Sequence, residues 1–384
     1  MGRSVQNITN NVSLIASDNT WIEGLAIQQL IKTSQLSGMM QVAGMPDLHP
    51  GRGYPIGAAF FAKDKVYPAL VGNDIGCGMS LWQTSMSLSK LNLDKVERQL
   101  KDIELPLDDS WQELINTRKA DKQIASTCFD HALGTIGGGN HFAEFQSIDE
   151  IYDESALTEM HLDKKKLQLL VHSGSRGLGQ SVLTDHVTKF NHDGLESGSV
   201  ALDEYLLKHD EAVRCAELNR ELIARRFLKA TRADGTCQID INHNLVTETW
   251  IDGRKGWLHR KGATPSDKGY VVIPGSRGDH SYLVKPRLNC SDALYSLAHG
   301  AGRKWKRGEC QGRLSHKYKR DDLYRTELGS RVICGNKELL YDEAPQAYKK
   351  CLTIIDDLQE AGLVDVVARL RPVLTFKTNG GCSV

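Results

Sequence analysis

The chain has 384 residues, 40% of them hydrophobic and 25% charged, and Lys plus Arg equals Asp plus Glu at 48 each. This balance excludes an intrinsically disordered chain, and zero net charge leaves no global attraction to nucleic acid, so any basic surface must be local. No run of about 18 apolar residues is available to cross a membrane, and the first residues lack the basic-then-apolar order of a secretory signal.

The nine cysteines are odd in number and form no CxxC pair. That favours reduced thiols in a cytoplasmic protein over a disulfide framework or a zinc ribbon. No repeat or low-complexity linker divides the chain, which is read as one domain over 1–384.

The first stretch that can carry chemistry is VGNDIGCGM at 71–79, with Asp74 and Cys77 three residues apart among glycines. Taken alone it fits a metal-binding loop and a tight turn with a buried thiol equally well. An approximate helical period predicts helices over 86–103, 204–228 and 344–362. Between them, QLLVHSGSRG at 168–177, YVVIPGSRG at 270–278 and VLTFK at 373–377 predict strands that end in loops. The mixture predicts an α+β fold with its functional groups on loops where strands end.

Four histidines stand at such edges: His141 in GGGNHFAEF, His172 in LLVHSGSRG, His243 in INHNLV and His299 in LAHGAGR. Each alone reads as an ordinary core or surface histidine. Together with Asp74 and Cys77 they form a ligand set for one or two divalent ions, because a thiolate can bridge two metals. The loops at 134–140, 173–177, 274–278 and 299–303 combine glycine with hydroxyl, amide or arginine. Such loops are either ordinary turns or anion cradles, and none has Walker or Rossmann spacing. Arg303-Lys304-Trp305-Lys306-Arg307 and Lys317-Tyr318-Lys319-Arg320 read either as a solvated face or as a strip that holds a nucleic-acid backbone.

Nine motifs occur in order: MPDLHPGRGYPIG at 45–57, VGNDIGCGM at 71–79, LGTIGGGNHFAEF at 133–145, VHSGSRGLG at 171–179, HNLV at 243–246, HRKGAT at 259–264, IPGSRG at 273–278, HGAGR at 299–303 and DEAPQAYK at 342–349. In this combination the chain resembles the RtcB family of RNA ligases along nearly its whole length. The resemblance implies a single α+β domain, with β-sheets surrounded by helices around a central metal and nucleotide cleft. It implies a GTP- and Mn2+-dependent ligase that joins RNA 3'-phosphate or 2',3'-cyclic phosphate ends to 5'-hydroxyl ends.

In that family the histidine of HGAGR takes GMP from GTP and passes it to the RNA 3'-phosphate, which makes His299 the implied nucleophile. Asp74, Cys77 and His141 correspond to the ligands of one Mn2+, and Cys77, His172 and His243 to those of a second. For the nucleotide the resemblance points to Asn140, His141, Phe142, Ala143 and Glu144, and to His243 and Asn244. It points also to Pro274, Gly275, Ser276, Arg277 and Ser281, to His299, Gly300, Ala301 and Gly302, and to Tyr348 and Lys377. Glu144 would accept guanine N–H groups, and Asp47, His49 and Arg52 would position an RNA end.

Three departures stand out. Arg277, Asp279 and His280 precede Ser281 where many relatives carry a small, apolar-leaning stretch; the segment between His172 and His243 is short; and TNGGCSV follows Lys377. This compact form resembles the branch coupled to a release-factor-H-like protein, which implies RNA repair, with a monomer favoured and no membrane partner. Two other readings compete: a metal-dependent phosphoesterase in which His299 only binds phosphate, and an RNA-binding adaptor without catalysis. The intact set of Asp74, Cys77, His141, His172, His243 and His299 argues against the adaptor.

Overall fold

The computed structural model describes residues 4–101, 103–287 and 291–378. Cys290, Cys382 and the tail beyond Thr378 lie outside the described residues.

The architecture is mixed, as expected, and rests on two sheets. The smaller runs Val5–Thr9, Val12–Ile15, Met39–His49, Ile56–Ala62, Arg254–Lys261 and Asn244–Ile251 in spatial order. The larger runs Gly235–Asn242, Gly78–Ser87, Lys166–Ser173, Phe142–Ile151, Val364–Phe376, Ser281–Pro286 and Val271–Ile273, with Arg331–Ile333 joined in parallel to the end of Val364–Phe376.

Successive side chains of a strand face opposite ways, and KLQLLVHS shows why this one must be apolar on both. Leu167, Leu169 and Val171 join Phe145, Ile223 and Phe227 on one side, whereas Leu170 joins Phe61, Leu81 and Leu258 on the other. The second cluster contains residues of both sheets, which therefore pack face to face. Helix Val200–Thr231 covers the outer face of the larger sheet through Ile223, Ala224 and Phe227. Helix Gly24–Thr33 covers the smaller one through Ala26 and Leu30. Phe145, Phe227 and Phe376 are fully buried in the first of these layers, and each contributes about 1.5–3 kcal/mol by leaving water.

The helix expected over 204–228 runs longer, from Val200 to Thr231, because Ser199 caps it by accepting the Leu202 N–H at 3.2 Å. The expectation over 86–103 is corrected: Met86 and Ser87 still belong to the strand Gly78–Ser87, and the α-helix is only Leu93–Gln99, started by the Asn92 side chain on Lys95 N. The expectation over 344–362 is also corrected. Pro345 opens a single tight turn, Tyr348 is extended and bridges to Arg303, and the helix proper is Cys351–Glu360. The strands expected at 168–177, 270–278 and 373–377 are present as Lys166–Ser173, Val271–Ile273 and the end of Val364–Phe376.

One residue joins the two sheets. His243 lies between Gly235–Asn242 of the larger sheet and Asn244–Ile251 of the smaller.

Candidate metal centre and nucleotide cleft

Four neighbouring strands of the larger sheet are all antiparallel, so their beginnings and ends alternate along one edge. Asn242 pairs with Gly78 and Gly78 with Ser173, while Met79 pairs with His172 and His172 with Phe142. His243 follows the first strand, Cys77 precedes the second, His172 nearly ends the third and His141 precedes the fourth. All four therefore emerge at one end of the sheet.

There, Cys77 Sγ lies 3.2 Å from His172 Nε2 and 3.3 Å from His141 Nε2, and His141 Nε2 lies 2.8 Å from Asp74 Oδ2. The His172 and His243 rings are 5.1 Å apart. Two triads result, Asp74-Cys77-His141 and Cys77-His172-His243, each with its ligand atoms within 4.8 Å of one another. Cys77 belongs to both. The three histidines and the cysteine are buried.

Burial, followed by the charge of Asp74, pushes the Cys77 thiol well above its ordinary pKa. Burial, then neighbouring histidines, holds His172 and His243 well below the usual imidazole range. Burial alone would raise Asp74, but His141, Cys77 and Arg176 outweigh it and hold the carboxyl at about 2. Imidazoles, a carboxylate and a sulfur thus crowd a buried space, and among the described residues His141 Nδ1 and His243 Nδ1 have no hydrogen-bond partner. This donor set fits divalent cations, whose charge would stabilise the thiolate that burial opposes.

Close packing fixes the loops. Gly76 has φ +75°, and a Cβ there would stand 2.8 Å from Val213 Cα of helix Val200–Thr231. A Cβ on Gly174 would overlap Asp74 Oδ1. The glycine before Cys77 therefore answers to the helix, the one after it to the neighbouring strand at Ile241, and the first glycine of SGSRG to the carboxylate. Asn244, expected at the nucleotide, already donates Nδ2 to Asp74 O at 3.0 Å and accepts the Gly262 N–H at 2.7 Å. It fastens the Asp74 loop.

His299 follows strand Ser296–Ala298, whose Ala298 pairs with Ala263. Its ring centroid lies 4.9 Å from that of His243 and 6.5 Å from that of His49. Asp47, expected to position RNA, instead sits fully buried with Oδ2 2.6 Å from His299 Nδ1, and it also accepts the His299 backbone N–H at 3.2 Å. The 2.6 Å contact is not a formed hydrogen bond: among the described residues His299 Nδ1 has no such partner. Lys349 secures this segment by donating to Pro46 O and Leu48 O at 2.8 and 3.2 Å. Arg52 is exposed and does not join the buried group.

Several of the expected nucleotide residues contact one another beside His299. A Cβ on Gly300 would stand 3.4 Å from Pro274 O, so the loops after 273 and after 298 touch; Ala301, Gly302 and Ser276 are buried between them. Ser281 Oγ accepts from Gln146 Nε2 at 2.9 Å and from Gly275 N at 3.2 Å. Gln146 also donates to Glu144 at 2.6 Å, and Thr375 donates to the other Glu144 oxygen. Burial pushes Glu144 up to about 7 against these hydrogen bonds and the charge of Lys377. Lys377 donates to Gly139 O at 3.0 Å, next to Asn140, and lies 5.9 Å above the Phe142 ring. Ala143 is buried in the strand behind, with the outer core. Arg277 is buried, donates to Leu340 O at 2.7 Å, and keeps Nε and Nη1 without partners among the described residues.

The placement of two charged residues, Glu343 and Arg303, escapes sequence reasoning. Glu343 is a buried hub that takes Arg303 at 3.1 Å, Lys377 at 3.3 Å and the Tyr348 hydroxyl. Arg303 turns inward, donating also to Tyr348 Oη at 3.0 Å and Asp342 O at 2.8 Å, and so leaves the basic strip. Lys306, Arg307, Lys317 and Lys319 remain exposed. The signals were the acidic pair in DEAPQAYK and the arginine closing HGAGR. Seven free cysteines are found among the described residues, in line with reduced thiols.

The family model described as tRNA-splicing ligase RtcB matches residues 29–121 and 109–378. The chain is 54% identical over 381 residues to RNA-splicing ligase RtcB2 of Escherichia coli, covering 99% of each chain. It is 28% identical over 430 residues to RNA-splicing ligase RtcB1 of Escherichia coli, covering 96% of this chain and 100% of that protein. It is 29% identical over 452 residues to tRNA-splicing ligase RtcB of Nanoarchaeum equitans, covering 95% and 93%. Among the described residues no helix is long and apolar enough to cross a membrane.

Proposed function

From the premise that this chain belongs to the RtcB family, we propose that it is an RNA ligase that uses GTP and two Mn2+ ions to join RNA 3'-phosphate or 2',3'-cyclic phosphate ends to 5'-hydroxyl ends. The observation that carries this is the convergence of two ligand triads on one sulfur, with the His299 ring 4.9 Å from that of His243.

His299 is the nucleophile. Asp47 beside Nδ1 leaves Nε2 as the nitrogen that attacks the α-phosphorus of GTP; a P–N bond forms as the bond to pyrophosphate breaks. An oxygen of the RNA 3'-phosphate next attacks that phosphorus and displaces His299. The 5'-hydroxyl then attacks the activated 3'-phosphate, and GMP leaves. A cyclic phosphate must first be opened by water to the 3'-phosphate. Mn2+ held by Asp74, Cys77 and His141, and by Cys77, His172 and His243, would supply charge neutralisation on the phosphate oxygens.

The chain's own residues do the rest. Glu144 accepts guanine N–H groups, Lys377 and Tyr348 close the base pocket, and the loops at 274–277 and 300–302 with Ser281 and Asn140 hold the rest of the nucleotide. Thiolate ligands by themselves would favour zinc, so the choice of manganese rests on the family. By its compact form we place the chain in the branch linked to a release-factor-H-like partner, and we read its role as cytoplasmic RNA repair by a monomer.

The test is transfer of label from α-labelled GTP to the protein with Mn2+. Acid-labile label that disappears in His299→Ala is expected. Label retained by His299→Ala would sink the nucleophile assignment, and phosphate release from RNA ends without any label would favour a phosphoesterase.

A further inference from the structure

Two consecutive residues of the long helix, Asn219 and Arg220, have no exposed surface although both are polar. Their bonds run to the segments that carry the candidate metal ligands. Arg220 Nη1 donates to Gly76 O at 2.8 Å and Ser173 O at 3.1 Å, Nη2 donates to Asn242 Oδ1 at 2.6 Å, and Nε donates to Asp240 Oδ1 at 2.6 Å. Gly76 precedes Cys77, Ser173 follows His172, and Asn242 precedes His243. Asn219 accepts the Gly134 N–H at 2.8 Å and donates to Thr135 O, Ser173 Oγ and Gly174 O at 3.2, 3.0 and 3.1 Å. It thereby ties the loop leading to His141 to the end of the strand bearing His172.

We infer that Asn219 and Arg220 form a clamp that sets the spacing of the two ligand triads before any ion binds. The inference rests on the reading of the two triads as a metal centre. Arg220 suits the task because a guanidinium presents its donors in a fixed plane, so the carbonyls and the amide it holds cannot drift independently. A buried charge is a poor source of stability compared with apolar packing of the same volume. Its presence on the buried face of this helix is therefore explained by position: three of its four tethers end one residue from a ligand. Groups that orient metal ligands typically change metal affinity by about 10–100-fold when removed.

The test uses the full chain stripped of metal and titrated with Co2+, whose charge-transfer absorption reports a thiolate bond. The wild type is expected to take two ions per chain with a thiolate band. Arg220→Met is expected to lower affinity by about 10–100-fold and weaken the band while the circular dichroism of the helix persists, and Arg220→Lys to recover part of the loss. Asn242→Ala, at a half-buried position that is less demanding for folding, is expected to weaken one of the two ions and spare the other. Wild-type affinity and band in both Arg220→Met and Asn242→Ala would overturn the clamp, as would lowered thermal stability with unchanged ion binding. A wild type without a thiolate band would overturn the metal reading itself, and is told apart by that.

Discussion

Oδ2 of Asp47 lies 2.6 Å from Nδ1 of His299 while Asp47 itself has no exposed surface. A carboxylate so placed stabilises the imidazole as positive charge grows on it. Asp47→Asn should therefore slow guanylylation of His299 by two or more orders of magnitude, on the scale known for catalytic histidines deprived of their carboxylate. Rapid-quench measurement of labelled protein checks this. Unchanged rates would reduce Asp47 to a packing residue.

Cys77 sets a pH dependence. Burial and then Asp74 raise its thiol well above the ordinary value, so the ion-free protein carries the proton at pH 7. An ion that binds the sulfur must expel it, so metal affinity should rise with pH by at least one proton's worth, about tenfold per unit. Buffer-dependent calorimetry counts that proton. Cys77→Ser should weaken both ions and remove this release.

Glu144 should tie base preference to pH. Its carboxyl is pushed up to about 7, chiefly by burial. Only the ionised form accepts guanine N–H groups at both oxygens, so GTP binding should weaken as pH falls below about 7, with ATP far less affected. Glu144→Gln should narrow the difference between the two nucleotides at pH 8. Equilibrium binding of fluorescent analogues decides the matter.

Glu343 should be chiefly a matter of stability. It is 4% exposed and faces Arg303 and Lys377 at 3.1 and 3.3 Å. Glu343→Gln leaves two buried cations short of a counter-charge, and a loss of about 3–5 kcal/mol in denaturant unfolding is expected. Burial opposes its ionisation, but Lys377, Arg303 and Arg307 outweigh burial and lower the carboxyl to about 2 from 4.5. Its contribution is therefore complete above pH 4.5 and disappears as pH falls toward 2. The Gln variant should lack that acid-dependent loss.

Gly174→Ala offers a selective cut. The new Cβ would overlap Asp74 Oδ1 and push the carboxylate out of its triad. The ion held with His141 should be weakened more than the ion held with His243, as titration of bound metal per chain would show. Equal weakening of both would mean that the two triads move as one.

The candidate ligand set was legible because each member sits next to a strand end marked by glycine or an apolar run. Asp74, Cys77, His141, His172 and His243 could be named without any knowledge of sheet order. What brings them together was not legible, because it depends on pairings such as Gly235–Asn242 with Gly78–Ser87, whose partners are more than 150 residues apart. Arg303 shows the opposite failure. A run of basic residues reads as surface, yet the fold supplies Glu343 and turns this one arginine inward. The helix expected from residue 86 failed at its start because Met86 fits either period until the pairing of Ser87 with Lys166 decides for a strand, after which Leu88–Lys90 makes only one tight turn.

The strand Val364–Phe376 lies in the middle of the larger sheet, hydrogen-bonded to Phe142–Ile151 on one side and Ser281–Pro286 on the other, although it is the last described strand to be made. During synthesis the sheet must wait in two halves until this strand arrives, with Lys377 directly behind it. A ribosome that stalls before this point therefore yields a product with every candidate metal ligand but with the larger sheet unjoined. Broken messages should give no partly working enzyme.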